Sequence, residues 1–63
     1  MIAVGDIVEV LKIAQFGPDQ WIGARVVGLS RGQIEVKALR GAFDAEGHEY
    51  LALPSDGKGK SWR

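Results

Sequence analysis

The stretch at 21–39 reads WIGARVVGLSRGQIEVKAL and carries the strongest fold signal in the chain. Apolar residues alternate with polar or small ones on both sides of a short Ser-Arg-Gly turn, and a period of two indicates β-strands. The sequence therefore predicts a hairpin with strands at 21–29 and 33–39, in which Ile34, Val36 and Ala38 point inward. Gly23 and Gly28 would weaken a flat strand, so we expect them to mark bends or bulges.

The same alternation appears before the hairpin, at 6–14, which reads DIVEVLKIA. Val8 and Val10 share one face of this predicted strand, and Ile and Val favour a pleated surface over a helix. Apolar residues also occupy the other face. This pattern is typical of a strand that curls around a small barrel. The Gly-Pro-Asp sequence at 17–19 is a strong turn signal between this strand and the hairpin.

The rest of the chain alternates less regularly. Residues 48–53 are interpreted as a fourth strand and 54–57 as a turn, whereas 40–47 fits either a loop or part of a strand. Residues 58–63 form a short basic tail or a last strand, with Trp62 as the apolar anchor. Short strands at regular spacing predict one all-β domain, and closing a small sheet into a barrel removes its exposed edges.

Composition narrows the classes of function. The chain has 63 residues, no cysteine, one histidine and equal numbers of acidic and basic residues. This length allows one domain, residues 1–63, with a thin core. A disulfide and a cysteine-ligated metal are excluded. The zero net charge means that no global field attracts DNA or an anionic membrane.

The termini and apolar runs bear on location. The apolar runs are far shorter than the roughly 20 residues needed to span a bilayer. The N-terminus lacks a basic region followed by a long apolar stretch, as a secretory signal would have. With the missing cysteines, these features predict a cytoplasmic protein without a membrane partner.

Three segments resemble the Tudor and Agenet branch of the SH3-like barrels. They are GDIVEV at 5–10, WIGARVV at 21–27 and GQIEV at 32–36. The resemblance implies a small five-stranded SH3-like (Tudor-like) barrel that serves as an interaction module. The ending DGKGKSWR at 56–63 is similar to the tails of small phage or prophage proteins. This chain departs from the Tudor pattern after the third strand. The family has an acidic-aromatic sequence there, whereas this chain has Lys37-Ala38-Leu39-Arg40.

Aromatic residues are the first candidates for a site. Tudor-like domains bind methylated lysine or arginine in aromatic cages because ring faces attract cations. The resemblance thus implies a ligand-binding rim for a protein or peptide. The alternative is that these rings form the core and its lids, since a small domain needs every large side chain. The candidate residues are Phe16, Trp21, Phe43 and Tyr50.

Basic residues offer a second hypothesis, a nucleic-acid-binding face. Cationic side chains beside an indole can contact phosphate and stack a base. The alternative is a solvated surface with interspersed Glu9, Glu35 and Glu49. The candidates are Arg25, Lys37, Arg40, Lys58, Lys60, Trp62 and Arg63.

Catalysis is not predicted. His48 lies near Asp44, Glu46 and Glu49 in the sequence, and an imidazole beside carboxylates can act as an acid or base. A surface histidine is the favoured interpretation, because the sequence has no cysteine nucleophile, phosphate-binding loop or metal-ligand cluster. We expect a non-enzyme without a cofactor or metal.

Self-association is a third hypothesis. An apolar stripe on the outside of the domain usually marks an interface. The residues that would form such a stripe are Ile7, Leu11 and Ile13, or Val27 and Leu29. The sequence thus leaves open three partner classes: a protein or peptide, a nucleic acid and a second copy of the chain.

Overall fold

The computed structural model describes residues 1–12 and 17–63, and the described chain is all-β. Its strands are β1 (Ile7–Lys12), β2 (Gln20–Ser30), β3 (Gln33–Ala38) and β4 (Tyr50–Pro54). They form an antiparallel sheet in the order β1-β2-β3-β4. The predicted all-β class and the β2–β3 hairpin are confirmed. Phe16 and Ile13 lie outside the described residues.

The β2–β3 hairpin contains the bulge expected near Gly28. Val26 pairs with Val36, but Gly28 pairs with Glu35, so the register shifts between Val26 and Gly28. A Cβ on Gly28 would lie 3.2 Å from Glu35 Oε2, which shows how closely the Glu35 side chain approaches the bulge. The bulge therefore sets the pairing of Ala24 with Ala38, of Arg25 with Lys37 and of Val26 with Val36.

The core lies on the inner face of the sheet. Ile34, Val36 and Ala38 are buried there, as the alternation in β3 predicted. Val8 and Val10, which the sequence placed on one face of this strand, are buried as well, so that face is the inner one. Among residues 1–12 and 17–63, the buried hydrophobic residues are Val8, Val10, Ala24, Val26, Ile34, Val36, Ala38, Phe43, Leu53 and Trp62.

The segment between β3 and β4 is a loop organised by Asp44. Its Oδ1 accepts hydrogen bonds from the backbone N–H of Glu46 at 3.0 Å and of His48 at 3.1 Å. Phe43 N–H donates to His48 O at 2.7 Å, which closes the loop at its base. The closed loop places the Phe43 ring in the core, at 8% exposure. The two interpretations left open for 40–47 are thereby resolved in favour of a loop.

The C-terminal residues cover the free edge of β1. Glu9 and Arg63 exchange backbone hydrogen bonds at 2.7 and 2.8 Å, and Leu11 N–H donates to Ser61 O at 2.9 Å. Trp62 is 4% exposed, and its Nε1–H donates to Pro54 O at 2.9 Å. The prediction that Trp62 anchors this segment in the apolar core is confirmed.

The sheet is open and four-stranded over the described residues, rather than a closed sheet of five strands. Trp62 forms only isolated bridges, with Val10 and Lys58. The physical reason is the tight turn before it: Gly57 O accepts from the N–H groups of Lys60 and Ser61. This turn leaves too few extended residues for a fifth strand. Nothing in the described part of the chain is a helix long and apolar enough to cross a membrane.

Candidate functional site

One line of side chains crosses all four strands on the outer face, the side of the sheet opposite the core. Register pairs Ile7 with Arg25, Arg25 with Lys37, and Lys37 with Tyr50. Residues directly opposite in antiparallel strands point to the same side, with Cβ atoms about 4.5–5.5 Å apart. These residues, Ile7, Arg25, Lys37 and Tyr50, are called the outer row below.

The centre of the outer row is a pair of like charges. Arg25 and Lys37 face each other across β2 and β3, and directly opposite like charges destabilise a sheet. Neither side chain forms an ion pair with any described residue. The carboxylate of Glu35, two residues before Lys37 on β3, lies over Gly28. The two cations are therefore left unneutralised at the surface.

Apolar side chains flank this pair of cations. Ile7 is 58% exposed at one end of the outer row, and Tyr50 is 62% exposed at the other. The Lys37 ammonium lies 5.7 Å from the centroid of the Tyr50 ring, within cation–π range. A shallow hollow beside the pair is lined by Arg25, Val27, Lys37, Ala38 and Leu39. This surface can hold an anionic group against the cations and an apolar group against Tyr50 or Ile7.

Trp21 has a different environment, at the start of β2. It pairs with Leu11 in register and shares the outer face with Arg25. The Arg63 guanidinium carbon lies 4.0 Å from the centroid of the Trp21 ring. Arg63 Nε–H also donates to Glu9 Oε1 at 3.0 Å. The exposed ring face is thus occupied by a cation from the same chain.

The predicted aromatic candidates do not converge. Trp21 and Tyr50 share the outer face but are separated by about 13 Å along the strands and about 10 Å across them, from standard strand spacings. Phe43 packs in the core instead of facing solvent. The hydrogen bond from Phe43 N–H to His48 O closes the loop and holds the ring there. Phe16 falls in the part of the chain that is not described. Among Trp21, Phe43 and Tyr50, no two rings form the walls of a common cage.

The basic candidates are distributed over several places. Arg25 and Lys37 lie together in the outer row, and Arg63 covers Trp21. The Trp62 ring is buried, so it has no free face for stacking on a base. The remaining candidates, Arg40, Lys58 and Lys60, are exposed at separate positions outside the strands.

His48 forms a surface pair with Asp44. Its Nδ1–H donates to Asp44 Oδ2 at 2.5 Å, with both side chains largely exposed. This hydrogen bond, together with the bond from the His48 backbone, holds the pKa of the Asp44 carboxyl below its ordinary value of 3.8. The pair organises the loop. Across residues 1–12 and 17–63, no group of three or more His, Asp or Glu side chains could hold a metal ion.

The outer row itself was not predicted, although its parts were. Alternation places Arg25 and Lys37 away from the core but does not say that they meet. The hairpin turn pairs Ser30 with Gln33, and a regular ladder from there would place Lys37 opposite Val26. The bulge shifts the register by one residue and places Lys37 opposite Arg25. Gly28 was the available signal, since a glycine within a strand often marks a bulge.

Comparisons of the chain with protein-family models, curated proteins and solved structures found no match.

Proposed function

We propose that this chain is a non-catalytic interaction module that binds a protein or peptide partner through the outer row. The observation that carries the proposal is the unneutralised Arg25–Lys37 pair between the exposed side chains of Ile7 and Tyr50. A like-charge pair costs stability in the free domain. An acidic partner removes that cost, so binding gains both the new contacts and the relief of repulsion.

The geometry indicates the chemistry of the partner. Arg and Tyr are enriched at the energetic centres of protein interfaces, where aromatic and guanidinium groups provide most of the affinity. An extended segment with an acidic residue beside an apolar one would meet the Arg25–Lys37 pair and Tyr50 together. The zero net charge of the chain favours a local acidic patch as the target over a polyanion.

We also infer an SH3-like, Tudor-like barrel as the best description of the architecture. The support is the pairing of Ser61 and Arg63 with the free edge of β1, together with the Trp62 indole bonded to the end of β4. These contacts bring the C-terminal segment from β4 back to β1, as in a small barrel. A cytoplasmic location belongs to the same proposal.

The first test uses synthetic peptides and NMR. Peptides that alternate glutamate with phenylalanine or leucine are titrated into the labelled protein, with lysine-substituted peptides as the reference. We expect shifts centred on Arg25, Lys37 and Tyr50, and at least a tenfold weaker affinity for the double variant R25A/K37A. Truncating one partner of a charge pair that becomes buried and hydrogen-bonded in a complex costs about 2–5 kcal/mol, and each 1.4 kcal/mol is about tenfold in affinity.

The matched control is the double variant K58A/K60A. It removes the same charge from exposed positions outside the outer row. Unchanged affinity in K58A/K60A and loss in R25A/K37A support the proposal. Equal affinity of wild type and R25A/K37A, or absence of binding to every acidic peptide, contradicts it.

A nucleic-acid-binding surface is the second candidate. The specific observation in its favour is that Arg25 and Lys37 lie beside the exposed Tyr50 ring, an arrangement that can contact phosphate and stack a base. Phosphate contacts strengthen steeply as salt falls. Binding of single- or double-stranded oligonucleotides at low salt, lost in R25A/K37A, supports this candidate. No binding at low salt removes it.

A further inference from the structure

Within the described residues, one edge of β4 pairs with no other strand. In the neighbouring ladder, Ala38 N–H donates to Glu49 O at 2.8 Å, and the register continues through Val36–Leu51 and Ile34–Leu53. Hydrogen-bonded pairs alternate along antiparallel strands. Leu51 and Leu53 therefore direct their backbone groups toward β3. The backbone N–H and C=O groups of Tyr50 and Ala52 point away from β3, toward the open edge.

Nothing in the described chain covers this edge. The backbone groups of Tyr50 and Ala52 have no hydrogen-bond partner among residues 1–12 and 17–63. The strand reads YLALP and contains no charged residue. Native edge strands usually carry charges, bulges or a covering segment, because unpaired backbone groups are a template for another strand. The edge of β1, in contrast, is covered by Ser61 and Arg63.

We propose that two copies of this chain associate by antiparallel pairing of β4 with β4 about a two-fold axis. The register places Tyr50 opposite Ala52 of the second copy, and Leu51 opposite Leu51 of the second copy. In this register each Tyr50–Ala52 pair exchanges both backbone hydrogen bonds. The proposal does not rest on the partner proposed above, because it follows from the unpaired backbone groups of Tyr50 and Ala52, although the Tyr50 side chain belongs to both surfaces.

The two neighbouring registers each leave either Tyr50 or Ala52 without a free partner. Placing Tyr50 opposite Pro54 meets a residue without an N–H, whose carbonyl already accepts from Trp62 Nε1 and Gly57 N. If Ala52 lay opposite His48, neither backbone group of His48 would be free. Its N–H already donates to Asp44, and its carbonyl already accepts from Phe43. Of these three registers, the Tyr50–Ala52 register is the one that satisfies the backbone groups of both Tyr50 and Ala52 on both copies.

Side chains are complementary in the same register. A shallow hollow beside β4 is lined by Glu35, Tyr50, Leu51 and Ala52. Ala52 is small, so the Tyr50 ring of the second copy can lie over it. On the other face the two Leu51 side chains meet at the axis, where each is 37% exposed in the free chain. Pairing thus covers exposed apolar surface as well as backbone groups.

The test is sedimentation equilibrium of the full chain from about 10 μM to about 1 mM, since an interface below the standard size associates weakly. We expect wild type to pass from monomer to dimer. Ala52→Pro removes an N–H that the β3 ladder does not use, and Tyr50→Lys places a charge on the edge without changing the backbone. Both variants are expected to stay monomeric with an unchanged circular dichroism spectrum.

Ile7→Lys is the matched control. Ile7 has similar exposure to Tyr50 and lies in the same outer row, but at the opposite end of the sheet. We expect this variant to dimerise like wild type, with the Tyr50 and Ala52 amides exchanging more slowly with solvent at high concentration. A wild type that stays monomeric throughout the range overturns the proposal. Dimerisation that survives in a folded Tyr50→Lys variant overturns it as well.

Discussion

The guanidinium carbon of Arg63 lies 4.0 Å from the centroid of the Trp21 ring, and the same side chain donates from Nε to Glu9 Oε1. This contact joins residues at the start of β2 and at the end of the chain. The backbone of Arg63 is paired with β1 at the same place. Arg63 therefore ties the C-terminal segment to the sheet through both its backbone and its side chain.

Arg63→Ala is expected to lower the free energy of unfolding by about 0.5–1 kcal/mol, the value of an exposed cation–π contact. The ion pair with Glu9 adds little because it is exposed. Urea denaturation measures the change. Arg63→Lys keeps the charge but loses the planar stacking, so an intermediate value is expected. Equal stability of all three proteins would show that the stack contributes nothing.

Trp62→Ala is expected to remove most of the stability of the domain. Deleting a buried tryptophan costs about 3–5 kcal/mol, and a core of this size supplies roughly the same net stability. Trp62→Phe keeps a ring but loses the bond from Nε1 to Pro54 O, a loss of about 1 kcal/mol plus repacking. Thermal and urea unfolding followed by circular dichroism measure both. A fully folded, wild-type-like Trp62→Ala protein contradicts the burial of this ring.

Gly57→Ala tests the turn before Trp62. An added Cβ would lie 2.5 Å from Ser61 Oγ and 3.1 Å from Pro54 O, so the turn must shift. Overpacking of this kind costs about 1–3 kcal/mol. Gly41→Ala is an instructive comparison: its Cβ meets nothing within 4 Å, and only its positive φ of 72° causes strain. The Leu11 N–H donates to Ser61 O, so we expect its amide to exchange faster with solvent in Gly57→Ala than in wild type or Gly41→Ala. An unchanged exchange rate contradicts a shift of the C-terminal segment.

Asp44→Asn tests the loop between β3 and β4 through its pH dependence. The pKa of Asp44 is lowered in the folded chain, chiefly by the side-chain hydrogen bond from His48. The ionised carboxylate therefore adds stability above the ordinary pKa of 3.8, and this contribution is lost as pH falls through the folded pKa. We expect wild type to be more stable than the variant near neutral pH, with the difference vanishing in acid. Unfolding measured across pH checks this, and a difference that is constant with pH contradicts it.

Part of the candidate surface follows from local pattern. Alternation in β3 points the Lys37 side chain to the face away from Ile34 and Val36, so its exposure is predictable from the sequence. The same argument applies to Arg25 beside Ala24 and Val26. Tyr50 was proposed as a binding residue from its ring chemistry alone, and its place at the end of the outer row required the β3–β4 register. Phe43 was proposed on the same grounds, but its loop turns the ring into the core.

The sequence by itself determined the class of fold and the inward face of each central strand, because a period of two depends only on neighbouring residues and on which of them avoid water. Tertiary structure alone decided three features: the meeting of Arg25 with Lys37, the cover of Trp21 by Arg63, and the exposed edge at Tyr50 and Ala52. Each depends on register or on contacts between distant residues. A single bulge shifts the register by one position, and the shift changes the cross-strand neighbour of every residue of β2 from Val26 back toward its start.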